Sequence, residues 1–118
     1  MNKRNINFTI DKSDYQHMRA DSIIHISSNT VNYVTAHFDL DEQWDEFTHI
    51  KAIWNTEYKM HPSVIDESGN TVVPFDILDT KADVYVNLQA DVIEDDLLKA
   101  RFTTYPTKAI IIDGSSQI

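Results

Sequence analysis

The chain has 118 residues, of which 42% are hydrophobic and 25% charged, a composition typical of one globular domain with its own core. The absence of cysteine excludes disulfides and thiolate metal sites. The formal net charge of -9 disfavours nucleic-acid binding, because a phosphate backbone is bound mainly by lysine and arginine. Without a long apolar run or a signal-peptide core, we expect no membrane association and synthesis in the cytoplasm.

Apolar and polar residues alternate with period two along most of the chain, which predicts β-strands. The first alternating segment places Ile6, Phe8 and Ile10 on one face, and a later segment does the same with Ala52 and Trp54. The predicted strands cover residues 6–10, 22–27, 31–38, 48–54, 57–61, 83–90, 98–103 and 109–112. Residues 63–65 and 71–73 are expected to pair as a further hairpin, across a turn in which Gly69 or Asn70 can take a positive φ.

Few segments have helical character. Residues 75–78 (FDIL) follow Pro74 and predict a single turn, and residues 39–47 begin with capping aspartates. Residues 91–99 contain a capping-box pattern, although the same segment fits the loop of a hairpin that joins 83–90 to 98–103. The sequence therefore predicts an all-β fold, an antiparallel β-sandwich or flattened barrel of about eight strands with one or two short helical turns.

The acidic segment at residues 39–46 invites a test for metal binding and catalysis. A helix-loop-helix calcium loop that began at Asp39 would need glycine at its sixth position and glutamate at its twelfth, which are Trp44 and Ile50 here. The remaining pattern, Asp-x-Asp at Asp39 and Asp41, is common in acidic surface loops and is weak evidence for a metal site. The histidines occur singly, and neither a G-x-S-x-G motif nor a glycine-rich phosphate loop is present. We therefore expect no catalytic, cofactor or metal site, and no enzyme activity.

Aromatic side chains provide a binding alternative. Exposed rings can stack on sugars, and Tyr58 and Tyr105 are the candidate contacts for a glycan or a protein partner. Trp54 and Tyr33 instead lie in alternating segments that should face a core. A carbohydrate-binding module that contacts a host cell wall is thus one alternative function. An acidic inhibitor that mimics DNA is another, because of the net charge.

Residues 31–54 resemble a segment of small structural proteins of phages and prophages of Gram-positive bacteria. In both, a β-segment ending in phenylalanine (Phe38) precedes an acidic turn, a Trp-Asp pair (Trp44 and Asp45), Phe47 and a second β-segment ending in an aromatic residue (Trp54). The similarity continues through the Val-Val-Pro-Phe step at 72–75 with a following Ile-Leu, a strand like 83–90 and a closing strand like 107–114. It covers roughly residues 22–114.

The resemblance implies a β-sandwich module of a tail, baseplate or fibre, like the N-terminal domain of an upper-baseplate protein. It implies a non-catalytic virion protein, made in the host cytoplasm, whose partners are other phage structural proteins and further copies of itself. The acidic segment is then a joint between strands. The residues expected to form this joint and the core beside it are Phe38, Trp44, Phe47, Trp54, Pro74, Phe75 and Leu78.

The domain organisation expected from the sequence has three parts. Residues 1–20, which include the strand at 6–10, lack a counterpart in the resemblance and are expected to form an extra strand or an N-terminal arm that pairs with a neighbouring subunit. Residues 21–114 form the sandwich, and residues 115–118 a tail or the start of a connection.

Overall fold

The computed structural model describes residues 4–30 and 33–114. Strands make up most of this part of the chain, as the alternating pattern predicted. The strands are β1 (Arg4–Ile10), β2 (Met18–Ala20), β3 (Ile24–Ser27), β4 (Val34–Phe38), β5 (His49–Asn55), β6 (Met60–Val64), β7 (Asn70–Val72), β8 (Ala82–Glu94), β9 (Leu97–Thr103) and β10 (Thr107–Asp113). Two 3₁₀ turns, Glu42–Glu46 and Phe75–Ile77, account for the helical residues of these ranges. No helix in them is long and apolar enough to cross a membrane.

The strands form two sheets that pack face to face. One has the order β2-β1-β4-β7, and the other has the order β3-β10-β8-β5-β6 with β9 paired to β8. The all-β sandwich is confirmed. The sheets are mixed and not entirely antiparallel, because β1 pairs with β4 and β3 with β10 in parallel. Two parallel neighbouring strands need a long connection in the chain. In each of these pairs, the connection includes strands of the other sheet, such as β3 between β1 and β4.

The N-terminal strand is an internal part of the sandwich. β1 lies between β2 and β4, and its alternate residues Ile6, Phe8 and Ile10 are buried. Residues 4–10 and 18–20 form two neighbouring strands, β1 and β2, of this chain's own sheet. Residues 1–3, the expected tail at 115–118 and residues 31–32 lie outside the described residues.

Aromatic contacts join the two sheets at the centre of the core. Phe8 and Phe38 stack on neighbouring strands with ring centroids 4.6 Å apart, and Phe8 meets Trp54 of the opposite sheet edge-on at 6.4 Å. Trp54 is fully buried, and its Nε1 donates a hydrogen bond of 2.9 Å to Ser63 Oγ. Burial of these rings stabilises the association of the sheets.

The hairpin predicted between 63–65 and 71–73 is wrong. β6 pairs with β5 in one sheet, whereas β7 pairs with β4 in the other, so the intervening residues cross between sheets. The crossing uses the same turn chemistry as a hairpin, which explains the error. Gly69 has the predicted positive φ of 85°, and a Cβ there would clash with the backbone oxygen of Phe38.

The hairpin alternative for residues 91–99 is correct, and the helical one is wrong. β8 and β9 are joined by Asp95 and Asp96, both with positive φ (53° and 62°), as a type I′ hairpin turn requires. β8 has 13 residues and is about 43 Å long at roughly 3.3 Å per residue. The β8–β9 hairpin thus continues beyond the end of β5, which pairs with β8 only as far as Asp91.

Candidate functional site

The acidic segment folds over a group of four rings at one end of the sandwich. Trp44 lies at the centre of this group, with its ring centroid 5.8 Å from that of Phe47, 5.8 Å from that of Phe102 and 6.4 Å from that of Tyr15. We call these four residues the aromatic cluster. Its members come from the acidic 3₁₀ turn, the residue after that turn, β9 and the β1–β2 connection, so the cluster joins parts that are distant in sequence.

Asp41 attaches the acidic turn to the rest of the fold. One carboxylate oxygen accepts a hydrogen bond of 2.9 Å from Gln43 N and caps the turn, and the other accepts one of 2.9 Å from Tyr15 Oη. The hydrogen bond to this carboxylate raises the pKa of the Tyr15 phenol. The side chains of Asp39, Glu42, Asp45 and Glu46 are exposed and accept no hydrogen bond from a described residue, so most of the negative charge of the segment faces solvent.

A small cavity opens beside the aromatic cluster. Its volume is about 150 Å³, and all four rings line it together with Gln43 and Glu46. Trp44 is only 4% exposed, and its Nε1 has no hydrogen-bond partner among the described residues. A buried donor without an acceptor is unfavourable by about 1–3 kcal/mol. The cavity thus combines an apolar aromatic wall with one carboxylate, that of Glu46.

Polar contacts hold the base of the β8–β9 hairpin next to the acidic turn. Arg101 Nε donates to Asp91 Oδ1 at 2.7 Å, and Arg101 Nη2 donates to Asp91 Oδ2 at 3.3 Å. This bidentate pair with Arg101 lowers the pKa of Asp91. Thr48 hydrogen-bonds to both the Asp91 carbonyl and the Ile93 N–H. The hairpin is therefore anchored to Thr48, which directly follows Phe47 of the aromatic cluster.

Beyond this base the hairpin exposes apolar side chains. Leu97 and Leu98 are 59% and 51% exposed. β9 pairs only with β8, and the outer edge of residues 97–101 has no backbone hydrogen bond to a described residue. β6, which ends the same sheet, contains Pro62 and therefore lacks one N–H that an added strand would need. β9 contains no proline, so each of its residues keeps a backbone N–H, although Lys99 and Arg101 place charges on this strand.

The two tyrosines predicted as contact residues lie in different surroundings. Tyr58 is exposed and lines an open groove of about 550 Å³ together with Tyr85, Lys81 and Asp83. Tyr105 is also exposed, and its ring stacks on His17 with centroids 4.8 Å apart. Tyr85, and not Tyr105, therefore lies in the same groove as Tyr58.

Most of the residues predicted for the core and joint are buried. Phe38, Trp54 and Leu78 are fully buried and Trp44 nearly so, while Phe47 and Pro74 are half-buried. The exception is Phe75, whose side chain is 48% exposed and is not part of the core. Phe75 begins the 3₁₀ turn that follows Pro74, and this turn directs Ile77 and Leu78 inward instead.

Sequence reasoning missed several residues of this end of the molecule. Tyr15 and Phe102 complete the aromatic cluster, but they come from segments remote from Trp44 in sequence. Asp91 and Arg101 were also missed, because a regular two-residue turn at 95–96 would place Asp91 opposite Ala100, and only the register shift in the hairpin brings Arg101 across from it. Among residues 4–30 and 33–114, no three metal-ligating side chains lie close enough together to hold an ion.

Comparisons with known proteins identify the fold. No protein-family model matches the chain, and no curated protein matches it. Among solved structures, the N-terminal domain of phage TP901-1 ORF48 superposes with a TM-score of 0.61 over 96% of this chain and 99% of that domain, at 11% sequence identity. The resemblance inferred from residues 22–114 is thereby confirmed at the level of the fold. The chain has the same β-sandwich fold as the N-terminal domain of phage TP901-1 ORF48.

Proposed function

We propose that this protein is a structural component of a phage virion, in a tail, baseplate or fibre. The observation that carries the proposal is the fold match, which extends over nearly the whole of both chains to a domain of a phage protein. The residue pattern from Phe38 to Trp54 supports it independently, because it resembles a segment of phage structural proteins.

The proposed mode of action is assembly through protein–protein contacts, without catalysis. The β8–β9 hairpin supports this, since it combines an open edge, exposed Leu97 and Leu98, and a base fixed by the Asp91–Arg101 pair. An anchored, exposed apolar edge is a surface that other chains can pair with. The expected partners are other structural proteins of the same particle and further copies of this chain.

Mass spectrometry of purified particles tests the proposal. Phage particles are prepared from the host that carries the gene, banded by density and digested, and peptides of this chain are quantified relative to the known tail proteins. The proposal predicts a fixed stoichiometric ratio to those proteins. Peptides that occur in the lysate but not in the banded particles would contradict it.

A second candidate function is binding to host cell-wall glycan, and the groove beside Tyr58 favours it. Tyr58 and Tyr85 place two exposed rings along one groove with Lys81 and Asp83, which are the kinds of group that stack on sugars and bind their hydroxyls. Sedimentation of the protein with purified cell walls tests this function. Wild-type protein should sediment and Tyr58→Ala should not, with Tyr105→Ala as the matched control. Equal sedimentation of wild-type protein and Tyr58→Ala would contradict it.

A further inference from the structure

The cavity beside the aromatic cluster has walls suited to a positively charged group. Tyr15, Trp44, Phe47 and Phe102 all line its volume of about 150 Å³, which is large enough for a benzene-sized group. The face of an aromatic ring attracts a cation placed within about 6 Å of its centroid, and tryptophan is the strongest of these rings. A planar guanidinium can stack on such rings and still direct its N–H groups sideways.

The charge around this cavity has the complementary sign. Glu46 lines the cavity, and residues 39–46 carry five carboxylates without a lysine or arginine. The hairpin tip adds Glu94, Asp95 and Asp96, about 13 Å beyond the hairpin base at roughly 3.3 Å per residue. The protein has a formal net charge of -9, and the acidic side chains of the turn and of the hairpin tip favour the approach of a basic surface.

No cation of the described chain is placed to fill the cavity. Arg101 is the nearest in sequence to Phe102, but it lies on the opposite face of β9 because successive side chains alternate. Its guanidinium is also held by Asp91 at 2.7 Å. Among the described residues no lysine or arginine occupies the cavity, so the site is open to a cation of another molecule.

We propose that this cavity receives an arginine side chain from a basic surface of a partner subunit. The guanidinium stacks against the aromatic cluster, and its N–H groups donate to the Glu46 carboxylate at the rim. The partner thereby contacts the acidic turn and the neighbouring hairpin base together. This inference rests on the proposed assembly function and specifies the chemistry of the partner.

Titration followed by NMR tests the site without the partner. The probe is N-acetyl-arginine N-methylamide, and the readout is the indole N–H resonance of Trp44 in ¹⁵N-labelled protein. The chain has two tryptophans, and Trp54, buried between the sheets and bonded to Ser63, is an internal control. We expect a saturable shift of the Trp44 resonance in the millimolar range of probe, with the Trp54 resonance unchanged.

Comparison probes and variants decide what the cavity recognises. The lysine analogue should bind more weakly and the leucine analogue should give no saturable shift. Glu46→Gln should weaken arginine binding about two- to five-fold, as expected for a solvent-exposed charge pair. Glu57→Gln, an exposed glutamate at a different groove, should leave it unchanged. Phe102→Leu should also weaken binding about two- to five-fold through loss of a ring face.

Three results would overturn the inference. They are no saturable Trp44 shift, equal affinity for the leucine or lysine analogue, and an unchanged affinity in Glu46→Gln. An unchanged Trp54 resonance in each variant shows that the fold is intact. A negative titration alongside stoichiometric peptides in banded particles would reject the arginine site and leave the virion assignment standing, so the two failures are distinguishable.

Discussion

Asp91 of β8 and Arg101 of β9 lie directly opposite each other and form a bidentate ion pair, with Arg101 Nε 2.7 Å from Asp91 Oδ1. Asp91 is 3% exposed, whereas about half of the Arg101 side chain is in contact with solvent. The pair lies where the β8–β9 hairpin leaves the sandwich. It therefore links the stability of the domain to the surface through which we propose that the domain assembles.

The first prediction concerns pH. The hydrogen bonds from Arg101 lower the pKa of Asp91 in the folded state below its ordinary value of about 3.9. A carboxyl group with a depressed folded-state pKa stabilises the fold above its unfolded-state pKa, and this contribution is lost as the pH falls through the folded-state pKa. Asp91→Asn should therefore reduce the free energy of unfolding by about 1 kcal/mol at pH 7, because the arginine end is partly solvated.

Urea unfolding at several pH values measures this effect. The difference between wild-type protein and Asp91→Asn should be full at pH 6–7, begin to fall near the unfolded-state pKa of about 4 and vanish at lower pH. Asp83→Asn is a suitable control, since Asp83 pairs with Lys108 at the exposed surface and should contribute less. A wild-type advantage that stays constant down to pH 2 would show that the pair does not act through ionisation.

The second prediction concerns the acidic joint. Trp44→Ala should reduce the free energy of unfolding by about 3–5 kcal/mol, because it removes the central ring of the aromatic cluster. In a thermal melt this corresponds to a midpoint lower by about 10–20 °C. Phe75→Ala is the matched control, since Phe75 is half exposed and its loss should change stability by less than about 0.5 kcal/mol. Equal midpoints for the two variants would refute the role of Trp44.

Asp41 gives a third prediction within the same joint. Asp41→Asn should change stability little, since the amide oxygen can still cap Gln43 N and the amide group can still bond Tyr15 Oη. Asp41→Ala loses both contacts and should reduce the free energy of unfolding by about 0.5–2 kcal/mol. Chemical denaturation of both variants measures the difference. A loss of stability in Asp41→Asn as large as that in Asp41→Ala would mean that the charge of Asp41, and not its hydrogen bonds, stabilises the joint.

The fourth prediction concerns the crossing between the sheets. Gly69→Ala should destabilise the fold by about 1–3 kcal/mol, because the backbone has a φ of 85° and the new Cβ would meet Phe38 O. Gly114→Ala is the comparison, since the nearest atom to its added Cβ is Lys81 Cδ at 3.8 Å. Denaturation midpoints of the two variants give the result. A Gly69→Ala protein as stable as wild type would mean that the crossing relaxes easily.

Period-two alternation was sufficient to predict the all-β class, because each buried strand face needs an apolar residue at every second position. It could not assign strands to sheets. β6 and β7 read as a hairpin because the turn at Gly69 has hairpin chemistry, yet they belong to opposite sheets. Local sequence contains no signal for that difference, since pairing is decided by which buried faces meet in three dimensions.

The candidate site was only partly predictable for the same reason. Trp44 and Phe47 are close in sequence and were expected to pack under the acidic turn, where they are found. Tyr15 and Phe102 reach the cluster through β1 and β9, so their contribution depends on topology. Phe75 was assigned to the core from the phage-like Pro-Phe step, and the 3₁₀ turn places it at the surface instead.

Cross-linking mass spectrometry of intact, purified particles tests the central claim most directly, because it reports both location and surface. Lys99 lies exposed on β9, within the hairpin that we propose contacts other subunits. The account predicts cross-links from Lys99 to a lysine of another virion protein or of a second copy of this chain. Absence of the chain from the particles, or links from Lys99 only to residues of its own chain, would contradict it.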